Sequence, residues 1–385
     1  MKPSSWLPSL IFVGFVGCVL YVAAFMAAVE LPVQDLAQYW SAAHLVGQNP
    51  YSSKLVAELE HSNGIYIDTP LVLKNPPWAI PFILPLGFFS YRVDFALWTV
   101  FSVAVVLFCA RAIWHELKLP DSLAPLFLPL AFGPTIVQLM LGQWTILVLP
   151  GLTIFLIAVG RRQDWLAGAS LLLVLGKPHL MLLFLLAVAL WVIREKRWTI
   201  FLSGFLVFVA ANFIVGLINP RIFGQFWERT LQVVHETYVY PNLGGFLFLI
   251  SGKHALALLP EFAGLIWLAF YWKIRRQNWN WWDDGTLVIL CSILFSYYSY
   301  PYDEILALPA LLIGFANGNR RRFLVAFTIT NLGYFVYISG FAGRLGFNFM
   351  FLWWTSLGWL LSVWLAHSQV FKDRPNQHVR DVRNP

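Results

Sequence analysis

Between residues 6 and 367 the chain alternates apolar runs with short clusters of Lys and Arg, and that alternation leaves few folds open. An apolar segment of about 17–25 residues crosses a bilayer as a helix, because lipid offers its backbone N–H and C=O groups no other partners. Runs of this kind, some short or broken, cover residues 6–29, 75–90, 95–113, 123–141, 144–160, 166–176, 178–193 and 198–218. They continue at 243–252, 260–272, 285–300, 305–315, 323–340 and 347–367. With 59% hydrophobic and 12% charged residues, against about a quarter charged in soluble domains, the chain is expected to be an all-α polytopic membrane protein. A single membrane domain is expected over 1–367, with a disordered cytoplasmic tail at 368–385.

The net charge of +7 does not point to nucleic acid, because the cations sit between apolar runs. Arg161-Arg162, Arg194/Lys196/Arg197, Lys273/Arg275/Arg276, Arg320 to Arg322 and the tail form a positive-inside pattern. The 30–74 loop holds only Lys54 and Lys74 and is expected outside the cell. The run at 1–29 is longer than a signal-peptide core and reads as an uncleaved first span. Cys18, Cys109 and Cys291 fall inside apolar runs, so no disulfide or zinc framework is expected.

Parity then constrains the topology. Four runs separate the outer loop from Arg161, and an even number would leave that cation outside. One must turn back, and 123–141, broken by Pro125, Pro129 and Gly133-Pro134, is expected to be a re-entrant hairpin. The short run 243–252 is expected not to cross either. About twelve crossings remain, with both termini cytoplasmic, in a bacterial plasma membrane. Asp35, Gln143, Lys177, Arg221 and Asp303 then share the outer face.

The polar stretch 31–51, LPVQDLAQYWSAAHLVGQNPY, draws the chemistry to that face. Pro32 can open a helix, and Gly47 with Asn49-Pro50 can close it. Val33, Leu36, Trp40, Ala43 and Gly47 recur at steps of three and four, which predicts an interfacial helix carrying one acid, Asp35. A carboxylate there, with cations on neighbouring loop ends, suits sugar transfer from a lipid phosphate: a base for the acceptor hydroxyl, and cationic donors for the departing phosphate. Asp35 is the candidate base. Lys177, Arg221 and Arg229 are candidates for the phosphate, Lys177 because an ionisable residue at membrane depth is usually functional or paired. Tyr39, Gln143, His179, Tyr300, Tyr302 and Asp303 are candidate substrate contacts.

Each has a plainer reading. Asp35 can be a first-turn acid favoured by the helix dipole, Lys177 a snorkelling anchor, Gly142-Gln143 a polar turn, and the tyrosines around Tyr300 an aromatic belt. His44, His61, His235 and His254 show no metal spacing. No Gly-rich phosphate loop, nucleophile elbow or Asp-x-Asp motif is present, so neither a nucleotide-sugar enzyme nor a cofactor is expected.

Several motifs together resemble a known family. They are Asp35-x3-Tyr39-Trp40-x-Ala42-Ala43, Gly47-x2-Pro50-Tyr51, Asn75-Pro76-Pro77-Trp78, Gly142-Gln143, Arg161-Arg162 before Leu166-Ala167-Gly168, Lys177-Pro178 and Arg197-Trp198. In order and spacing, over about the first 200 residues, they resemble glycosyltransferase family 87, integral-membrane enzymes of the GT-C fold class. The resemblance implies a polyprenyl-phosphate-sugar donor, mannose foremost, an inverting transfer to a lipid or glycan acceptor, and the first-loop aspartate, here Asp35, as base. One departure stands out. Where actinobacterial members look to carry a Ser-x-x-His-His type segment on a late span, this chain reads Ser299-Tyr300-Pro301-Tyr302-Asp303, so a histidine role does not carry over: either Tyr302 or Asp303 takes that place, or the donor or acceptor differs. A transporter or flippase of lipid-linked sugars is the competing reading, since it would share the broken helices, although no repeated halves are visible.

Overall fold

The computed structural model describes residues 35–66, 69–119, 122–233, 239–340, 343 and 349–367. The expected first span, Pro32 and the tail lie outside the described residues. Every regular element among the described residues is helical. Among the described residues four helices are long and apolar enough to cross a membrane unaided: Tyr91–Glu116, Trp198–Ile218, His254–Asn278 and Phe349–Ala366. This is a polytopic membrane architecture.

The helices used below are α1 (Leu36–Leu45), α2 (Ser53–Ser62), α3 (Tyr91–Glu116), α4 (Ala124–Leu130), α5 (Gly133–Leu141), α6 (Thr145–Gly160), α7 (Asp164–Val174), α8 (Leu182–Glu195), α9 (Trp198–Ile218) and α10 (Ile222–Val233). They are followed by α11 (Leu243–Ser251), α12 (Leu259–Arg275), α13 (Thr286–Phe295), α14 (Leu308–Asn317), α15 (Arg320–Ile338) and α16 (Thr355–His367).

Contacts between chain segments define two ends of the bundle. At one, Arg161 after α6 pairs with Glu116 at 2.5 Å, Arg197 pairs with Asp164, Arg275 with Asp284 at 2.8 Å, and the Asn319 N–H meets the Ala366 carbonyl. At the other lie Asp35, the Gly142–Thr145 turn, Lys177, Asn219 and Asp303. The chain shuttles between these ends, which is why cations and candidate site residues separate.

Three expectations change. Run 75–90 forms no spanning helix: Pro77–Phe82 and Leu84–Gly87 are short 3-10 turns, because Pro76, Pro77, Pro81 and Pro85 remove the donors a longer helix needs. Run 123–141 does not turn back on itself. The chain leaves α3 at Glu116, passes through α4 and α5 with a 62° bend, and reaches Gly142 beside Leu36 and Trp98. Trp98 is about 27 Å along α3 from Glu116 at about 1.5 Å per residue, so α4 and α5 together travel from one end to the other. The prolines bend this path, and the turning segment is 75–90 instead.

The third change concerns α1. Apart from His44, all its residues are buried, so it is a helix wedged into the protein and not one lying on the membrane surface. Its short side chains at Ala37, Ser41, Ala42 and Ala43 admit neighbours on every side. The amphipathic helix of this end is α10, where Phe223, Trp227 and Leu231 are exposed at steps of four.

Candidate functional site

Asp35 occupies the N-cap of α1 but does not cap it: its side chain bonds to none of the helix N–H groups. Instead Oδ2 accepts the Gln143 Nε2 amide at 2.6 Å, 108 residues along the chain. Gln143 is the hub. Its Oε1 accepts the buried Tyr39 hydroxyl at 2.9 Å and the Lys177 Nζ at 3.5 Å, and its backbone carbonyl accepts the Gln138 amide. Tyr39 in turn accepts the Trp144 N–H at 3.2 Å. An amide presents a donor and an acceptor at once, so Gln143 can lie between a carboxylate and two donors with each bond satisfied.

Gly142 makes this placement possible. Its φ of +66° is a left-handed conformation, and a Cβ there would stand 2.9 Å from the Leu36 Cβ. Gly142→Ala is therefore expected to destabilise the protein by about 1–2 kcal/mol from the backbone conformation alone, with the clash against α1 added. A thermal melt in detergent checks it, and an unshifted melt would contradict it.

Lys177 lies on the turn after α7. The Asn75-Pro76-Pro77-Trp78 motif anchors that turn: the Asn75 amide donates to the Gly176 carbonyl at 3.1 Å and the Trp78 indole to the Leu175 carbonyl at 2.9 Å, satisfying two carbonyls freed at the helix end. The Lys177 side chain does not snorkel. Only 7% exposed, it pairs at 2.7 Å with Asp303, which is fully buried, and it stands 4.9 Å over the Tyr302 ring. Asp303 also accepts Thr145 Oγ1 at 2.5 Å and the Tyr300 N–H at 3.0 Å. With donors on both oxygens, this carboxylate offers the buried ammonium a fixed partner.

The next residue braces that carboxylate. Glu304 accepts Tyr334 Oη at 2.7 Å, Thr355 Oγ1 at 2.9 Å and Trp359 Nε1 at 2.6 Å. Two late helices, α15 and α16, are thereby tied to the 301–307 turn. Glu304 is not among the sequence candidates, because nothing local in the sequence indicates that its partners lie 30 to 55 residues downstream.

The structure thus gathers Asp35, Tyr39, Gln143, Lys177, Tyr302 and Asp303 into one connected cluster. Tyr300 stacks on Tyr302 at 5.3 Å, and the His179 ring meets Tyr298 edge-on at 4.9 Å, extending an aromatic wall beyond the cluster. Arg221 is exposed and set apart. It follows Asn219, whose amide donates to the Val46 and Gln48 carbonyls just past the C-terminus of α1, about 15 Å along that helix from Asp35. Thr145, Gln138 and Asn75 join the site without having been singled out as contacts.

The electrostatics of Asp35 follow from this setting. Burial raises its pKa above the ordinary carboxylate value; the Gln143 hydrogen bond and the positive charges of Lys177 and Lys74 pull the other way without cancelling the rise. The site therefore contains a carboxylate with elevated proton affinity, an amide relay, and a buried ammonium held by a second carboxylate.

The model of glycosyltransferase family 87 matches residues 74–296. The match takes in Asn75, Gln143, Lys177 and His179; Asp35 precedes it and Asp303 follows it. No curated protein and no solved structure matches the chain. With more than half its length matched and its helices apolar enough for a bilayer, the chain belongs to glycosyltransferase family 87 and is a membrane glycosyltransferase.

Proposed function

We propose that this enzyme moves a hexose, mannose foremost, from a polyprenyl-phosphate-sugar donor to a lipid or glycan acceptor, with inversion, at the extracytoplasmic end of the bundle. The observation that carries the reading is the pairing of Asp35 with Lys177 through Gln143. A base for the acceptor and a cation for the phosphate stand on two sides of one amide. The orientation rests on the basic clusters at the opposite end, which belong in the cytoplasm.

Asp35 takes the proton of the acceptor hydroxyl as its oxygen attacks the anomeric carbon. The phosphate leaves from the other face, through an oxocarbenium-like state of the kind glycoside hydrolysis uses. Lys177 meets the negative charge that grows on the departing phosphate. Asp303 holds Lys177 in place. Tyr39 and Gln143 orient Asp35, while Tyr300, Tyr302 and His179 form the wall on which the sugar lies. Arg221, far from Lys177, contacts an outer part of the substrate.

Purified protein in liposomes, offered polyprenyl-phosphate sugars and nucleotide sugars labelled in the sugar, tests this. Label should pass to acceptor lipid from the polyprenyl-phosphate donor only. Transfer from a nucleotide sugar alone would overturn the donor assignment, and passage of intact donor across the bilayer without transfer would favour a transporter.

A further inference from the structure

α10 divides into three faces. Ile222 is buried and Phe226 packs on Tyr51 at 5.4 Å, forming the side toward the protein. Gly224, Glu228 and Gln232 are exposed and polar or small. Between these two faces run Phe223, Trp227 and Leu231, which are 43%, 62% and 51% exposed. At 100° per residue the three apolar side chains occupy a stripe about 80° wide.

That stripe adjoins the exposed apolar face of α9. α9 leads into α10 through a break of three residues at Asn219, and it exposes Phe205, Val209, Phe213 and Leu217 at steps of four along its length. A helix of 21 residues at this hydropathy turns such a face to lipid. The Phe223 ring lies 3.7 Å from where a Gly216 Cβ would stand, so it packs against the last turn of α9, beside the exposed Leu217. We infer that α10 lies in the bilayer interface of the site end, with Phe223, Trp227 and Leu231 sunk among the acyl chains at headgroup depth and Glu228 and Gln232 turned to water.

The seat is also tied to the candidate site. Asn219, the first of the three residues between α9 and α10, donates to the Val46 and Gln48 carbonyls at 3.0 and 2.9 Å, and Gln225 donates to Gln48 at 2.9 Å. Tyr51, against which Phe226 packs, donates to the Asn75 carbonyl at 2.9 Å, and Asn75 holds the turn bearing Lys177. A helix fixed at headgroup depth therefore sets the height of the first loop relative to the lipid from which a phosphate-bearing substrate would come.

Spin labels test the seat without reference to activity. Phe223→Cys, Trp227→Cys and Leu231→Cys, with Gly224→Cys, Glu228→Cys and Gln232→Cys as controls for folding, are made in full-length protein whose three native cysteines are replaced by alanine. The labelled proteins are reconstituted in phosphatidylcholine/phosphatidylglycerol vesicles. The first three labels should be relaxed more by oxygen than by a water-soluble nickel chelate, and the last three the reverse. Equal relaxation by the nickel chelate at all six positions would overturn the inference. So would shielding of the stripe from both reagents, which would mean that protein covers it.

Discussion

Asp35→Asn is expected to lower sugar transfer by about two to four orders of magnitude, the range a positioned general base supplies, while folded protein is recovered in wild-type yield. Asparagine keeps an oxygen to accept the Gln143 amide, so the local geometry survives. Stability should not fall either. Because burial raises the pKa of Asp35, its protonated form is the one the fold favours; the associated stability is present at low pH and is lost as pH rises through the raised pKa. A neutral side chain removes that loss at neutral pH. The same shift predicts the activity profile: wild-type transfer should decline on the acid side at a higher pH than an exposed carboxylate would give, and the residual activity of Asp35→Asn should lack that limb. Initial rates across pH, beside thermal melts of both proteins, check each part.

The second large effect concerns the Lys177–Asp303 pair. Lys177→Met leaves Asp303 buried without its ammonium, a change that typically costs about 3–5 kcal/mol. Against a total stability of about 5–15 kcal/mol for a folded domain, that should lower the melting temperature sharply and reduce yield. The double variant Lys177→Met/Asp303→Leu removes both charges and should recover much of the stability. Transfer should stay absent in it, since no cation then meets the leaving phosphate. Recovery of activity with stability would make the pair purely structural.

How far the sequence speaks differs from residue to residue. Membrane character, the separation of basic clusters from the polar stretch, and the prominence of Asp35, Gln143 and Lys177 as polar positions are all legible, because each is a departure from an apolar background. The family is legible from motif order. The partner of Lys177 is not: Asp303 lies 126 residues on, and no local pattern encodes a pairing made by two separate turns. Prolines alone do not distinguish a turning segment from a bent one. Prolines mark both 75–90 and 123–141, but in α4 and α5 each helix restarts past the break and the path continues, whereas in 75–90 closely spaced prolines allow only 3-10 turns. The burial of α1 is not legible, because its sequence shows one apolar face at helical spacing, while the packing that covers the other faces comes from distant parts of the chain.

The most direct test of the account is one labelled-transfer experiment with polyprenyl-phosphate-mannose, run on wild type and Asp35→Asn purified side by side into the same liposomes. Label should appear in the acceptor lipid with wild type and be lower by about a hundredfold or more with Asp35→Asn, within the span of general-base effects. Equal label from the two proteins would contradict the assignment of Asp35 as the base.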